Sequence, residues 1–139
     1  MQEVFVDTDV TLDLLSQRQP FYMYSAKLFS AAERGEIRIS VSSLSFSNLN
    51  YILSKQYSAT HSRDLLKKLK SIVNVLSVTE REIELALASD FKDFEDAIQY
   101  FSAIENGIGM IITRNLADYQ TALIPVMTAE QFINTNVLN

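Results

Sequence analysis

Several acidic residues in this chain follow apolar segments, at positions where carboxylates can act together. Asp7 and Asp9 come directly after the apolar run Val4–Val6, and Asp118 follows a similar run late in the chain. Asp96 lies in the first turn of a predicted helix. Clustered carboxylates raise one another's pKa values unless a positive charge lies among them. Because Mg²⁺ and Mn²⁺ suit oxygen ligands better than Zn²⁺ does, these residues point to a site for a hard divalent cation.

The composition narrows the chemistry that the chain can perform. Its 139 residues include 12 basic and 17 acidic side chains, a formal net charge of −5, which argues against coating nucleic acid or an anionic membrane through bulk charge. There is no cysteine and only one histidine, His61, so disulfides, thiolate chemistry and sites built from several imidazoles are excluded. Removing the four acids above would move the net charge from −5 to −1, so much of the acidity can belong to one site.

Length and hydropathy predict a soluble, cytoplasmic protein made of one domain over residues 1–139. Apolar residues make up 47% of the chain and charged residues 21%, which is close to the globular average. No apolar run approaches the roughly 20 residues needed to span a bilayer. The segment MQEVFVDTDV carries acids where a signal peptide needs positive charge, so we expect no association with a membrane.

The elements that must position the acids are short β-branched runs alternating with longer helical segments, which is typical of a parallel α/β sheet. Strands are predicted over residues 4–6, 37–41, 73–78, 110–113 and 125–127. Helices are predicted over residues 10–15, 21–34, 44–53, 65–72, 79–88, 93–106 and 128–132. Parallel sheets bind ligands beyond the carboxyl ends of their strands, so the acids are expected to meet at one edge of the sheet.

Three motifs, in this order and spacing, resemble those of the PIN domain, the small nuclease fold of VapC-type toxins in bacterial toxin–antitoxin pairs. The first is FVDTDVTLDLL, where the family has an apolar strand, Asp-Thr-Asn and a helix. The second is DFEDAIQYFSA, which places an acid on an apolar helix, and the third is MIITRNLADY. The agreement extends over essentially the whole chain.

The resemblance implies a three-layer α/β/α sandwich with a central, mainly parallel sheet and a metal-dependent endoribonuclease site. Carried over by position, Asp7, Asp96 and Asp118 are the catalytic carboxylates and bind the metal. Asn115 joins them as a metal ligand, and so does Asp9, which stands where the family usually has Asn. One or two Mg²⁺ or Mn²⁺ ions would then activate water for attack on an RNA phosphodiester.

The resemblance also implies supporting residues and partners. Thr8 and Thr113 are expected to support the metal ligands through their hydroxyls. The partners expected are an RNA substrate, a cognate antitoxin and a second copy of the chain, with the apolar stretch 21–24 contributing to a homodimer.

Asn48 is the main departure from the family pattern, because the family usually has Glu at this position. An amide can still ligate a metal or hold its water but brings no charge. This leaves open a second interpretation, in which the chain is a catalytically weakened module that binds RNA or protein without cutting. A third, a receiver-like signalling domain, lacks a convincing phosphoacceptor Asp in mid-chain and a Lys after a late strand.

Each candidate also has a plainer structural interpretation. Asp7, Asp93 and Asp96 stand where acids stabilise helix starts, and for Asp93 a helix cap is the favoured role. Glu95 is expected to face solvent. Arg114 is a candidate for holding a phosphate beside the metal. The basic stretch 55–70 is either a solvated helix face or a surface that follows RNA phosphates, and its candidate RNA-binding residues are Lys55, Arg63 and Lys67.

Overall fold

A computed structural model describes residues 1–136 of the chain. Its strands are β1 (Gln2–Val6), β2 (Ile37–Ser42), β3 (Asn74–Leu76), β4 (Ile111–Ile112) and β5 (Val126–Met127). They form one parallel sheet in the order β3-β2-β1-β4-β5. Because β1 lies at the centre, residues that follow it stand in the middle of the carboxyl edge, between those that follow β2 and those that follow β4.

The helices within residues 1–136 are α1 (Thr8–Leu15), α2 (Tyr22–Glu33), α3 (Ser43–Gln56), α4 (Ala59–Lys70), α5 (Glu80–Leu87), α6 (Phe94–Glu105) and α7 (Ala129–Asn136). A short 3₁₀ turn, Leu116–Tyr119, follows β4. Over this part of the chain, no helix is both long enough and apolar enough to cross a membrane.

Alternating residues of β1 pack on opposite faces of the sheet. Val4 and Val6 belong to a core shared with α1, α2, α3, α4 and α7. Phe5 belongs to a second core, which includes Tyr100 and Ala103 of α6. Helices therefore cover both faces of a parallel sheet, and the predicted three-layer α/β/α sandwich is confirmed.

The predicted elements are all present, but several boundaries differ. Helix α4 begins at Ala59 rather than at residue 65, because the Ser58 side chain caps it by accepting a hydrogen bond from the backbone N–H of His61. Strand β3 is shorter than predicted and pairs only with β2, as expected for an edge strand. The segment predicted as a loop after β4 contains the 3₁₀ turn, which brings Tyr119 into the interior.

Candidate active site

An acidic cavity of about 210 Å³ opens at the carboxyl edge of the sheet. Four carboxylates line it, those of Asp7, Asp9, Glu95 and Asp96, and Asn115 adds an amide. Residues from the start of α1, the first turn of α6 and the loop after β4 therefore converge, although those of α1 come about 90 to 110 positions before the others in sequence. This convergence is what the parallel topology predicted.

Asp7 is the most deeply buried of these carboxylates, with 6% of its surface exposed. Its Oδ1 accepts a hydrogen bond of 2.8 Å from the backbone N–H of Thr8. Its Oδ2 accepts hydrogen bonds from the hydroxyls of Thr113, at 3.0 Å, and Tyr119, at 2.9 Å. Burial and then the charge of Asp9 raise the pKa of Asp7 from 3.8 to about 6, although these three hydrogen bonds oppose the rise.

Asp9 lies beside Asp7 and is held mainly by backbone groups. Its Oδ1 accepts from the N–H of Val10 at 2.7 Å, and its Oδ2 accepts from the N–H of Arg114 at 3.2 Å. The Thr113 hydroxyl also reaches Asp9 Oδ2 at 3.4 Å, so one hydroxyl proton serves two neighbouring carboxylates. Burial raises the pKa of Asp9. The two acids after β1 are thus fixed in place by the chain that follows β4.

Asp96 faces the same cavity from the first turn of α6. Burial raises the pKa of Asp96 to about 8, and the charges of Asp7, Asp93, Asp118 and Asp9 contribute further. Asp93 is the N-cap of α6, because its Oδ1 accepts a hydrogen bond of 3.0 Å from the backbone N–H of Asp96. The cap role expected for Asp93 is confirmed.

Glu95 is exposed, as the sequence predicted, whereas Asp118, an expected metal ligand, does not line the acidic cavity. Glu95 is exposed, yet it lines the acidic cavity and its Oε2 accepts a hydrogen bond of 3.2 Å from Asn48 Nδ2. A carboxylate from α6 therefore lies beside the α3 amide of Asn48, the position where the family resemblance predicts a Glu. Asp118 is exposed in the 3₁₀ turn and does not line the cavity, but its charge contributes to the raised pKa of Asp96.

Sequence reasoning also missed Gln99, whose buried amide ties three elements together behind the acids. Gln99 Nε2 donates to the hydroxyls of Thr8, at 3.1 Å, and Ser45, at 2.9 Å. Its Oε1 accepts a hydrogen bond from Ser42, and the Thr8 and Ser45 hydroxyls lie 2.8 Å apart. The only signal in the sequence is a polar residue on the apolar face of α6, three positions after Asp96.

The candidate RNA-binding residues lie outside the acidic cavity. The Nε of Arg114 is 3.0 Å from Asp13 Oδ2, and its guanidinium lies 4.2 Å from the centre of the Phe21 ring. Arg114 lines a separate cavity of about 490 Å³. Lys55 projects from α3 and lies over the ring of Tyr51, while Arg63 and Lys67 are exposed on α4.

The donor chemistry of the cavity fits a hydrated divalent cation. Among residues 1–136, no group of three or more acidic or histidine side chains is arranged to hold a metal ion unaided. Mg²⁺, however, keeps several waters and commonly uses one or two carboxylates together with substrate phosphates. The oxygens of Asp7, Asp9, Asp96 and Asn115 suit such an ion, and the raised pKa of Asp7 reflects a partly desolvated acid that a nearby cation would stabilise.

We expect the metal-free protein to lose stability as the pH rises from about 4 to about 8. The pKa values of Asp7 and Asp96 are about 6 and about 8 in the folded chain, whereas the ordinary pKa of an aspartate is 3.8. The folded state therefore holds more protons than the unfolded state in this window, so the free energy of unfolding falls with increasing pH. Urea unfolding in EDTA at several pH values measures this, and Asp96→Asn should flatten the slope above pH about 6. A free energy of unfolding that rises across the window would contradict the arrangement described.

The fold and the site together define a small three-layer α/β domain whose acidic side chains gather at the carboxyl edge of a parallel sheet. The family model described as PIN domain matches residues 3–117, and the chain belongs to the PIN domain family. The chain is 29% identical over 139 residues to Ribonuclease VapC1 of Aquifex aeolicus (strain VF5), an alignment covering 94% of this chain and 93% of that protein.

Solved structures share the fold at lower sequence identity. A toxin–antitoxin complex from Klebsiella pneumoniae is 21% identical with a TM-score of 0.68, and the match covers 91% of this chain and 97% of that one. Mycobacterium tuberculosis VapC20, described as a Sarcin-Ricin loop cleaving toxin, is 17% identical with a TM-score of 0.68, covering 87% and 95%. VapBC2 from Rickettsia felis bound to promoter DNA is 13% identical with a TM-score of 0.66, covering 91% and 97%.

Proposed function

We propose that the protein is a metal-dependent endoribonuclease and the toxin component of a toxin–antitoxin pair. The observation that carries the proposal is the convergence of Asp7, Asp9 and Asp96 on one cavity at the carboxyl edge of the sheet. The name of the Aquifex aeolicus relative, a ribonuclease, supports the reaction type. The burial of Asp7 supports a metal-binding role, because a desolvated carboxylate gains most from a nearby cation.

In this mechanism the side chains of the cavity would hold the divalent ion. Asp7, Asp96 and Asp9 would supply carboxylate oxygens, Asn115 would supply an amide oxygen, and Asp118 would add negative charge from the 3₁₀ turn. Mg²⁺ or Mn²⁺, when bound, supplies an activated water and neutralises charge that develops on the phosphodiester. The chain's own contribution is to fix the ligands before the ion arrives.

Hydroxyl groups behind the ligands keep their orientation. Thr113 and Tyr119 donate to the same oxygen of Asp7, which aims the remaining lone pairs of that carboxylate. Thr8 fixes the other oxygen of Asp7 through its backbone N–H, and its hydroxyl is in turn fixed by Gln99. Such outer hydrogen bonds tune metal affinity by one to two orders of magnitude in other metalloproteins.

The proposal includes the partners that this kind of protein needs. The Klebsiella pneumoniae structure is a toxin–antitoxin complex, which supports a cognate antitoxin for this chain. We propose RNA as the substrate and the cytoplasm as the location. We also propose a homodimer, to which the stretch 21–24 contributes exposed apolar surface through Phe21 and Met23.

Cleavage of RNA is expected to depend strictly on added metal. Purified protein should cleave RNA in Mg²⁺ or Mn²⁺, lose that activity in excess EDTA, and regain it when the metal is restored, because the cavity's carboxylates have no other source of an activated water. Gel analysis of a structured RNA, paired with calorimetric titration of Mn²⁺, measures both properties. Equal cleavage in EDTA would contradict the metal mechanism.

The second candidate function is a module that binds RNA or protein without cutting, and the amide at Asn48 favours it. Asn48 donates to Glu95, so the position usually occupied by a carboxylate contributes no charge of its own. The same assay separates the two functions: RNA binding in Mg²⁺ without cleavage indicates the module. In that case Asn48→Glu is the variant with which to restore metal affinity, and Asn48→Gln is its uncharged control.

A further inference from the structure

Arg18 is the one basic side chain that lines the acidic cavity within residues 1–136. It follows α1, where Gln17 adopts a left-handed backbone conformation with φ of 53° and turns the chain away from the helix axis. The backbone of Arg18 is then held on both sides. Its N–H donates to the carbonyl of Asp13 at 3.0 Å, and its own carbonyl accepts from the N–H of Tyr22 at 2.7 Å.

The side chain of Arg18 is held less firmly than its backbone, although its charge acts on Asp13 and opposes the rise in the pKa of that carboxyl. It is exposed and makes neither a hydrogen bond nor an ion pair with the part of the chain that the structure describes. Arg114 differs in both respects, because Asp13 and the Phe21 ring hold its guanidinium beside another cavity. The guanidinium of Arg18, at the rim of the acidic cavity, can therefore donate hydrogen bonds to an incoming anion, whereas that of Arg114 is in direct contact with Asp13.

We propose that Arg18 binds a phosphate group of the RNA at the mouth of the acidic cavity and so guides the strand to the metal. The inference rests on the proposed ribonuclease function. The carboxylates of Asp7, Asp9, Glu95 and Asp96 repel an approaching polyanion, and a fixed cation at the rim adds to the bound metal in offsetting that charge. Guanidinium suits the task because its planar fork donates two parallel hydrogen bonds to phosphate oxygens and stays charged at every accessible pH.

The test compares Arg18→Gln with Arg38→Gln, which removes the same charge from an exposed position near the amino end of β2, away from the carboxyl edge. With a short single-stranded RNA as substrate, Arg18→Gln should raise KM about tenfold and leave kcat nearly unchanged, because a flanking phosphate is held equally in ground and transition states. Arg38→Gln should resemble the wild type. Arg18→Lys should have a KM between those of the wild type and Arg18→Gln, because Lys keeps the positive charge but cannot donate two parallel hydrogen bonds to a phosphate.

Two further readouts separate phosphate binding from a merely structural role. The slope of log binding constant against log salt concentration should fall by about 0.7 in Arg18→Gln, the value for one lost phosphate contact on a single strand. Mn²⁺ affinity measured by calorimetry should stay close to that of the wild type, whereas damage to the cavity would weaken it. Unchanged KM and salt slope in Arg18→Gln, with cleavage intact, would overturn the role of Arg18 and leave the ribonuclease proposal standing.

A binding measurement keeps the inference testable even where no cleavage is seen. Fluorescence anisotropy of the same labelled RNA, in Ca²⁺ and with its integrity checked on a gel, measures RNA binding directly. If the wild type cuts no RNA, the ribonuclease proposal fails, and weaker binding by Arg18→Gln than by Arg38→Gln still supports the phosphate contact. Equal binding by the two variants, or no RNA binding by the wild type, overturns it.

Discussion

Replacing Asp7 by Asn is expected to reduce RNA cleavage at least a thousandfold, about 4 kcal/mol in the activation free energy, while the fold stays intact. Asn has the same shape, and its Oδ1 can still accept the hydrogen bond that the Thr8 N–H donates to Asp7. The variant removes the negative charge at the centre of the acidic cavity, so Mg²⁺ and Mn²⁺ should bind much more weakly. Cleavage assays and calorimetric Mn²⁺ titration measure the two effects.

The control for this variant is Asp64→Asn, which removes an exposed carboxylate from α4 and should change neither activity nor metal affinity. Urea unfolding of metal-free Asp7→Asn near pH 7 should show stability within about 1 kcal/mol of the wild type. Neutralising a buried charge with a raised pKa stabilises the variant, and the loss of the acceptor for the Thr113 and Tyr119 hydroxyls offsets that gain. Retained cleavage in a folded Asp7→Asn protein would remove the basis of the proposed mechanism.

Replacing Gln99 by Met is expected to destabilise the protein by about 3 kcal/mol. Gln99 is 2% exposed, and its amide is the common partner of the Thr8, Ser42 and Ser45 hydroxyls. Met fills a similar volume but offers no hydrogen bonds, so these buried hydroxyls lose a partner. Urea unfolding measures this loss of stability when the slope of the unfolding free energy against urea concentration is the same for the variant and the wild type.

Two comparison variants show whether the hydrogen bonds or the packing matter. Gln120→Met places the same side chain at an exposed position and should change stability by less than about 0.5 kcal/mol. Gln99→Glu keeps an acceptor for Ser42 but cannot donate to Thr8 and Ser45, so it should be at least as destabilising as Met. A Gln99→Met protein as stable as the wild type would mean that the network adds nothing beyond volume.

The sheet and the meeting of the acids could be predicted because both follow from chain order. Short β-branched runs separated by helices fix a parallel sheet, and a parallel sheet brings residues that follow its central strands to one edge. Asp7 and Asp9 immediately follow β1, and their hydrogen-bond partner Thr113 immediately follows β4, the neighbour of β1. Asp93 was recognisable as a cap because helix starts have a local signature.

The residues that were missed depend on how helices pack and on single backbone conformations. Glu95 and Gln99 reach the site region because α6 approaches α1 and α3 at a particular angle, which no local pattern encodes. Arg18 reaches the cavity through the left-handed conformation of Gln17, which is uncommon for a residue other than glycine. Each of these positions is decided by tertiary structure rather than by periodicity.

The position of Arg114 illustrates the same limit for long side chains. Its backbone N–H donates to Asp9 at the acidic cavity, as its place after β4 indicates. Its guanidinium lies instead against Asp13, whose burial within the otherwise apolar face of α1 was not anticipated from the sequence. A sequence motif locates the Cα of such a residue, whereas the charged end several bonds away depends on which partner lies within reach.

The hydrogen bonds from Thr113 and Tyr119 to Asp7 join residues more than a hundred positions apart. During synthesis on a ribosome, Asp7 emerges more than a hundred residues before these two partners. A nascent chain that has not yet reached Tyr119 therefore carries the first acidic motif without the hydroxyl groups that orient the Asp7 carboxylate.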